Sequence, residues 1–337
     1  MINEVSNKRN TSIDFIKGIA IFSVVLAHCW LLDKEIFHFI YSFHMPLFFC
    51  ISGYLFSTKK RYKDFLVGKI KNLLIPYVLF FIFSFIVSIT ILQRDITILN
   101  GIKYLILGGK NCARVCNWAL WYLQLFFIAS NIFYFIAKIK YSFVRFFIMI
   151  MLFIVSLPIQ QYCNQTFENE YVPFAFNALC PALFFMLVSF EFRRIKEKIA
   201  PKLNNKLIRG IIPVVSFGLF AIGILLAAGN SDEIIRLKSY TFLIYSLFIL
   251  QFIVLICQNC HNKYIVYMGK NSLMILGLHR ILLFICSNIL PVKVILDYLH
   301  ATSFAGAFLV SSLCVFVICI VNYIVESVLK KLRVKNN

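Results

Sequence analysis

Apolar residues in this chain neither alternate at the period of a strand nor mark one face of a surface helix. They come in runs of about 18 residues or more, the length that spans hydrocarbon at a helical rise of about 1.5 Å per residue. Short polar stretches separate the runs, which place spans near 13–32, 36–57, 72–92, 118–138, 143–160, 172–192, 209–229, 239–257, 271–290 and 303–328. The predicted fold class is all-α: a polytopic integral membrane protein with about ten transmembrane helices in a single membrane-embedded domain over 1–337. The stretch Ile96 to Leu107 is too short to span and is expected to lie along the interface or fold back over the bundle. No internal repeat is visible.

Composition agrees with this reading. Residues are 61% hydrophobic and 14% charged, against about a quarter charged in soluble domains. The net charge of +20 invites a nucleic-acid reading, against which its distribution argues. With both termini cytoplasmic, 25 of the 34 Lys and Arg residues fall on the inner segments and adjoining helix ends, as the positive-inside rule requires. Trp30, Trp118 and Trp121 then all lie near the outer boundary, where amphipathic rings prefer to sit. The first apolar run is too long for a signal-peptide core and lacks a small-x-small cleavage site, so no cleaved leader is expected.

The eleven cysteines are mostly dispersed within spans, as small hydrophobes. Cys257-x-x-Cys260-His261 has the form of a haem-attachment motif but falls on the predicted cytoplasmic side, and one such pair is short of a four-ligand zinc site. No metal is expected. Cys112 and Cys116, in the outer loop, leave a disulfide open. The loop 161–171 is acidic, with Glu168 and Glu170, and contains the sequon Asn164-Gln165-Thr166.

Ionisable groups inside apolar runs point to chemistry, because each is costly in hydrocarbon. Asp14, Lys17, His28 and His44 lie in or at the edges of the first two spans. His28 is expected near the outer end of the first span and His44 in the outer half of the second, so the two could face each other. A histidine suits proton transfer near neutrality. Asp14 cannot orient His28 directly, because fourteen residues of straight helix separate them by about 21 Å. It reads as a shaper of the inner entrance, as a structural partner of Lys17 or Lys69, or as an N-terminal cap or first-turn acid. Trp118 and Trp121 are belt residues or the border of a sugar site, and Gln124 with Asn131 reads as helix-to-helix glue. His279 and Arg280 enter the ninth span together and need partners or water, with a hydrogen-bonded packing role as the plainer reading.

These residues also carry a resemblance. Asp14, Lys17-Gly18 and His28, then Phe43-His44-Met45-Pro46, Ser52-Gly53-Tyr54, Trp121-Tyr122-Leu123 and Gly269-Lys270-Asn271-Ser272-Leu273 running on to His279, resemble in order the integral-membrane acyltransferase-3 family. The resemblance covers most of the chain. It implies an O-acyltransferase of the bacterial plasma membrane, with cytoplasmic acetyl-coenzyme A as acyl donor and a glycan or lipid-linked saccharide as acceptor. It also implies His28 as the base, with His44 and Asp14 as further catalytic candidates. His279, Arg280 and Trp121 are candidates for contact with the acceptor. Family members carry an arginine pair three residues apart before a proline here; this chain has Lys69 and Asn72, with Lys71 beside it and Lys17 near, as the donor-binding candidates. Direct transfer and an acyl-histidine intermediate are both compatible with the residues. The competing class is a polysaccharide exporter or flippase, since such proteins also bury histidines, although neither repeated halves nor paired helix breaks are present.

Overall fold

A computed structural model of the chain describes residues 10–29, 32, 34–167, 171–199, 206–228, 240–257, 260–288, 294 and 304–335. Among these residues every regular element is helical. The helices are α1 (Thr11–Ala27), α2 (Lys34–Leu55), α3 (Tyr62–Lys69), α4 (Ile75–Thr90), α5 (Ile98–Leu107), α6 (Trp121–Lys138) and α7 (Ser142–Thr166). They continue with α8 (Leu179–Ile199), α9 (Lys206–Ala228), α10 (Tyr240–Cys257), α11 (Lys263–Lys270), α12 (Ser272–Asn288) and α13 (Phe304–Lys335). Each of the ten predicted spans contains a helix. Among the described residues seven helices are long and apolar enough to cross a membrane, eight if α11 and α12, bent by 83° at Asn271, count as one span. The chain is therefore an all-α polytopic membrane protein.

Several boundaries differ from the hydropathy reading. α1 stops at Ala27 and His28 is its C-cap, so the first helix is shorter than 13–32. The third span begins at Tyr62, not 72, because α3 continues into α4 through a π-helical turn, Ile70–Leu74. Pro76 has no N–H to continue an α-helical ladder, and a π-turn is a common way to absorb such a break. Lys69 and Asn72 thus sit on a helix. α7 runs to Thr166, which puts the sequon in its last turn instead of a loop. Trp30, Glu168, Glu170 and residues 200–205 of the basic segment lie outside the described residues.

α1 and α2 form the centre of the bundle, with α10, α11, α12 and α13 beside α1 and with α8, α9 and α10 beside α2. Two close approaches fix this centre. A Cβ on Gly18 would meet the backbone carbonyl of Ile265, and one on Gly269 would meet that of Asp14, so α1 and α11 pack backbone to backbone. The glycine of the Gly-Lys-Asn-Ser-Leu motif is needed for this contact, and its asparagine stands at the bend that follows.

In hydrocarbon each backbone carbonyl freed by a proline must find another donor. Pro46, inside α2, leaves the Ser42 carbonyl without its helical N–H; the Ser246 hydroxyl of α10 donates to it at 2.6 Å. Pro158, inside α7, does the same to Ile154, and the Tyr240 hydroxyl donates there at 2.6 Å. Both prolines are thus answered from one helix. At the basic end, Arg145 is fully buried and bonds to Glu191, the Ile139 carbonyl and Ser142, while Arg193 caps the end of α2 through the Tyr54 and Phe56 carbonyls.

Candidate active site

His28 stands where α1 ends, and its imidazole meets α12 across 251 residues of sequence: Nδ1 lies 2.7 Å from Nε2 of His279. His279 is fully buried, and its Nδ1 lies 2.8 Å from the Ile275 carbonyl one turn back on the same helix. A carbonyl only accepts, so His279 Nδ1 carries the proton of that bond. With a neutral ring its Nε2 must then accept, and His28 Nδ1 donates to it. This chain of two bonds leaves the lone pair on His28 Nε2. The assignment follows from the hydrogen-bond network.

Arg280 completes the cluster. Its guanidinium donates to the His28 carbonyl at 3.0 Å and lies over Trp118, 4.2 Å from the ring centroid, with Phe284 at 4.9 Å on another side. Asn117, fully buried in the turn before Trp118, donates to the Gly277 carbonyl at 2.8 Å and to Ser84 at 2.9 Å, pinning that turn to α12 and α4. His44, one face of α2 away, is held in the same manner as His279: its Nδ1 lies 2.7 Å from the Ile40 carbonyl, which leaves Nε2 as its acceptor. The Tyr41 ring meets it edge-on at 4.7 Å.

A cavity of about 520 Å³ leads to this cluster from the basic end. Its mouth carries Lys17, Lys60, Asp64, Lys69 and Asn72, and its deep end Val24, Met45, Tyr122 and Leu276. Val24 is one turn before His28, Leu276 lies three residues before His279, and Met45 follows His44. The cavity therefore stops within a helical turn of all three histidines. On its wall the Lys69 ammonium lies 4.5 Å from the centroid of Phe126, which stacks on Tyr122 at 5.4 Å. Lys71 is exposed and does not line it. On the far side of Met45 is a second, small cavity of about 80 Å³, with Trp121 on its wall.

The sequence candidates thus divide. His28, His279 and Arg280 are brought together, His44 flanks them, Lys17, Lys69 and Asn72 share the inner cavity, and Trp121 faces the small one. Asp14 is not brought to the histidine cluster. It is buried in the first turn of α1, which Asn10 caps by accepting from the Ser12 and Ile13 N–H groups, at the opposite end of the helix from His28. The capping role considered for Asp14 belongs to Asn10. Sequence reasoning missed Asn117 and Lys60: a loop asparagine bonding a carbonyl 160 residues away has no local signature. Cys112 and Cys116, open as a disulfide, are both free and buried, with Cys112 Sγ 3.8 Å from the Tyr77 hydroxyl.

No solved structure matches the chain. Among curated proteins, nodulation protein NolL of Sinorhizobium fredii is 45% identical over 64 residues, covering 15% of this chain and 17% of that protein. Nodulation protein NolL of Mesorhizobium japonicum is 40% identical over 86 residues, covering 21% and 22%. The chain thus matches about a fifth of the length of these relatives. The acyltransferase-3 family profile, described as an acyltransferase domain, matches residues 10–323, and the chain belongs to that family of multi-pass membrane acyltransferases.

Proposed function

We propose that the protein is an O-acetyltransferase of the bacterial plasma membrane. It would move an acetyl group from cytoplasmic acetyl-coenzyme A to a hydroxyl of a cell-envelope polysaccharide or lipid-linked saccharide on the outer side. The observation that carries this is the inner cavity, basic at its mouth and apolar at depth, ending one turn from His28. Lys17, Lys60 and Lys69 suit the anionic phosphates of the donor as point charges, and the apolar depth, with Val24, Met45 and Leu276, suits its uncharged arm. Asn72 is a neutral lining residue where the family resemblance implies an arginine.

In this reading His28 Nε2, kept unprotonated by the His279 bond, takes the proton of the acceptor hydroxyl. The oxygen attacks the thioester carbonyl, the carbon–oxygen bond forms, the carbon–sulfur bond breaks, and the thiolate leaving group takes a proton. His279 acts through His28 and is a positioning residue. Arg280 holds the His28 backbone and, with Trp118, frames the side from which the acceptor would approach.

The test uses purified protein in liposomes with radiolabelled acetyl-coenzyme A and a mixed pool of envelope saccharides. Label should pass to saccharide in the wild type and fall about 10²–10⁴-fold in His28→Ala. Transfer that survives the substitution at equal protein level, or movement of unmodified saccharide without the donor, would overturn the reading, the second result in favour of an exporter.

A further inference from the structure

The inner cavity accounts for a donor's phosphates and arm, but not for the small cavity beyond Met45. This second space, about 80 Å³, is walled by Tyr41, Met45, Phe49, Trp121, Phe185 and Phe242 from α2, α6, α8 and α10. We propose that it is an acyl-chain pocket: it receives the hydrocarbon tail of the donor's acyl group, and it sets the longest chain the enzyme accepts. The proposal rests on the acyltransferase reading above and extends it to the choice of acyl group.

Three observations support this occupant. The first is position. Met45 lines both cavities, so one side chain stands between the donor arm and the pocket. On α2, Phe48 faces the donor cavity and Phe49 the pocket; on α6, Tyr122 faces the donor cavity and Trp121 the pocket. Tyr41, on the pocket wall, also touches the His44 ring. An acyl carbon held beside the histidines therefore has the pocket directly lateral to it.

Chemistry is the second. The walls are mostly aromatic and aliphatic carbon, a surface that welcomes methylenes and offers the several hydroxyls of a sugar few partners beyond the Tyr41 hydroxyl and the Trp121 indole N–H. Size is the third. About 80 Å³ is roughly half the 150 Å³ of an apolar cavity that takes up benzene, so it holds a few carbons and excludes a sugar ring. Methionine, unbranched and adaptable, suits a divider that must yield to chains of different length.

The enzyme should then use propionyl and butyryl donors as well as acetyl, each buried methylene offsetting its bulk by about fourfold in affinity, and should discriminate sharply beyond about four carbons.

The experiment measures kcat/KM for acetyl-, propionyl-, butyryl-, hexanoyl- and octanoyl-coenzyme A with the full chain in liposomes and the same saccharide pool. The wild type should accept butyryl within about fivefold of acetyl and lose at least about tenfold at hexanoyl. Ala182 of α8 also lines the pocket; Ala182→Leu, which fills it, should lower the butyryl-to-acetyl ratio about tenfold, and Phe185→Ala, which enlarges it, should admit hexanoyl. Acetyl used to the exclusion of butyryl, octanoyl used as well as acetyl, or a chain-length profile unchanged in both variants would overturn the proposal. The wild-type profile decides even if both variants fail to fold. Each of these results leaves His28-dependent acetyl transfer intact; absence of transfer from every donor would instead remove the acyltransferase reading beneath it.

Discussion

His28 and His279 share one hydrogen bond, 2.7 Å from Nδ1 to Nε2, and their rings are parallel within 4°. The direction of that bond is set by the Ile275 carbonyl behind His279. It leaves the lone pair of His28 on Nε2, so the chemistry proposed for the first span depends on a residue of the ninth.

His279→Ala should therefore lower kcat by about 10²-fold, through the wrong tautomer and a mobile ring, while the KM for donor changes little. His279→Gln, which can accept from His28 Nδ1 through its amide oxygen, should recover part of that loss. A purely structural role would show instead as equal loss in both variants, tracking protein level. Single-turnover rates with acetyl-coenzyme A separate the two cases.

Lys69 lies at the cavity mouth and Asn72 three residues on, both held on a helix by the π-turn. Loss of one charge-assisted phosphate contact costs about 1.5–3 kcal/mol. Lys69→Met should thus raise donor KM by tenfold or more, and raised salt should weaken the wild type more than the variant. Asn72→Arg should lower donor KM. Titration of donor into the liposome-embedded protein, followed by its effect on thermal unfolding, reads both directly.

Gly269 has no room for a side chain, since a Cβ would meet the Asp14 carbonyl. Gly269→Val should force α11 from α1 and destabilise the protein by about 1–3 kcal/mol, the usual range for overpacking. A fall in unfolding temperature in detergent, relative to an exposed control such as Gly218→Ala, is the measurement.

Ser246 donates to the carbonyl that Pro46 frees within α2. Ser246→Ala should cost about 1–3 kcal/mol, the range for a buried polar group left without a partner. The loss should shrink in a Pro46→Ala background, where the helix can satisfy Ser42 itself. The four proteins form a double-mutant cycle, and independent effects would disprove the pairing.

Cys112 is fully buried beside Tyr77, and burial pushes its thiol up to about 12. The thiolate is the nucleophile, so maleimide at pH 7–8 should leave Cys112 unmodified in the folded protein and label it after denaturation. The sign for stability follows: the folded state holds this proton more tightly than the unfolded one, so the contribution is present below about pH 8.5 and is lost as pH rises toward 12.

The class of the protein is legible from its residues alone. Apolar length, the inward bias of Lys and Arg and the absence of strand periodicity are local quantities, and hydrocarbon allows few answers to them. Candidate chemistry was legible for the same reason: His28, His44, His279 and Arg280 are conspicuous because charge in lipid is costly. The tertiary structure decided which of them meet. Lipid and protein interior are equally apolar, so hydropathy does not tell which face of a helix turns inward or which helices are neighbours. His279 reads equally well as packing until it is found against His28, and Met45 as one more core residue until cavities appear on both sides of it. The prolines stand in the sequence, but the Ser246 and Tyr240 hydroxyls that answer the carbonyls they free are distant in sequence and close only in the folded bundle. Asp14 shows the converse: its separation from His28 follows from helical rise alone, and no packing of the other helices could shorten it.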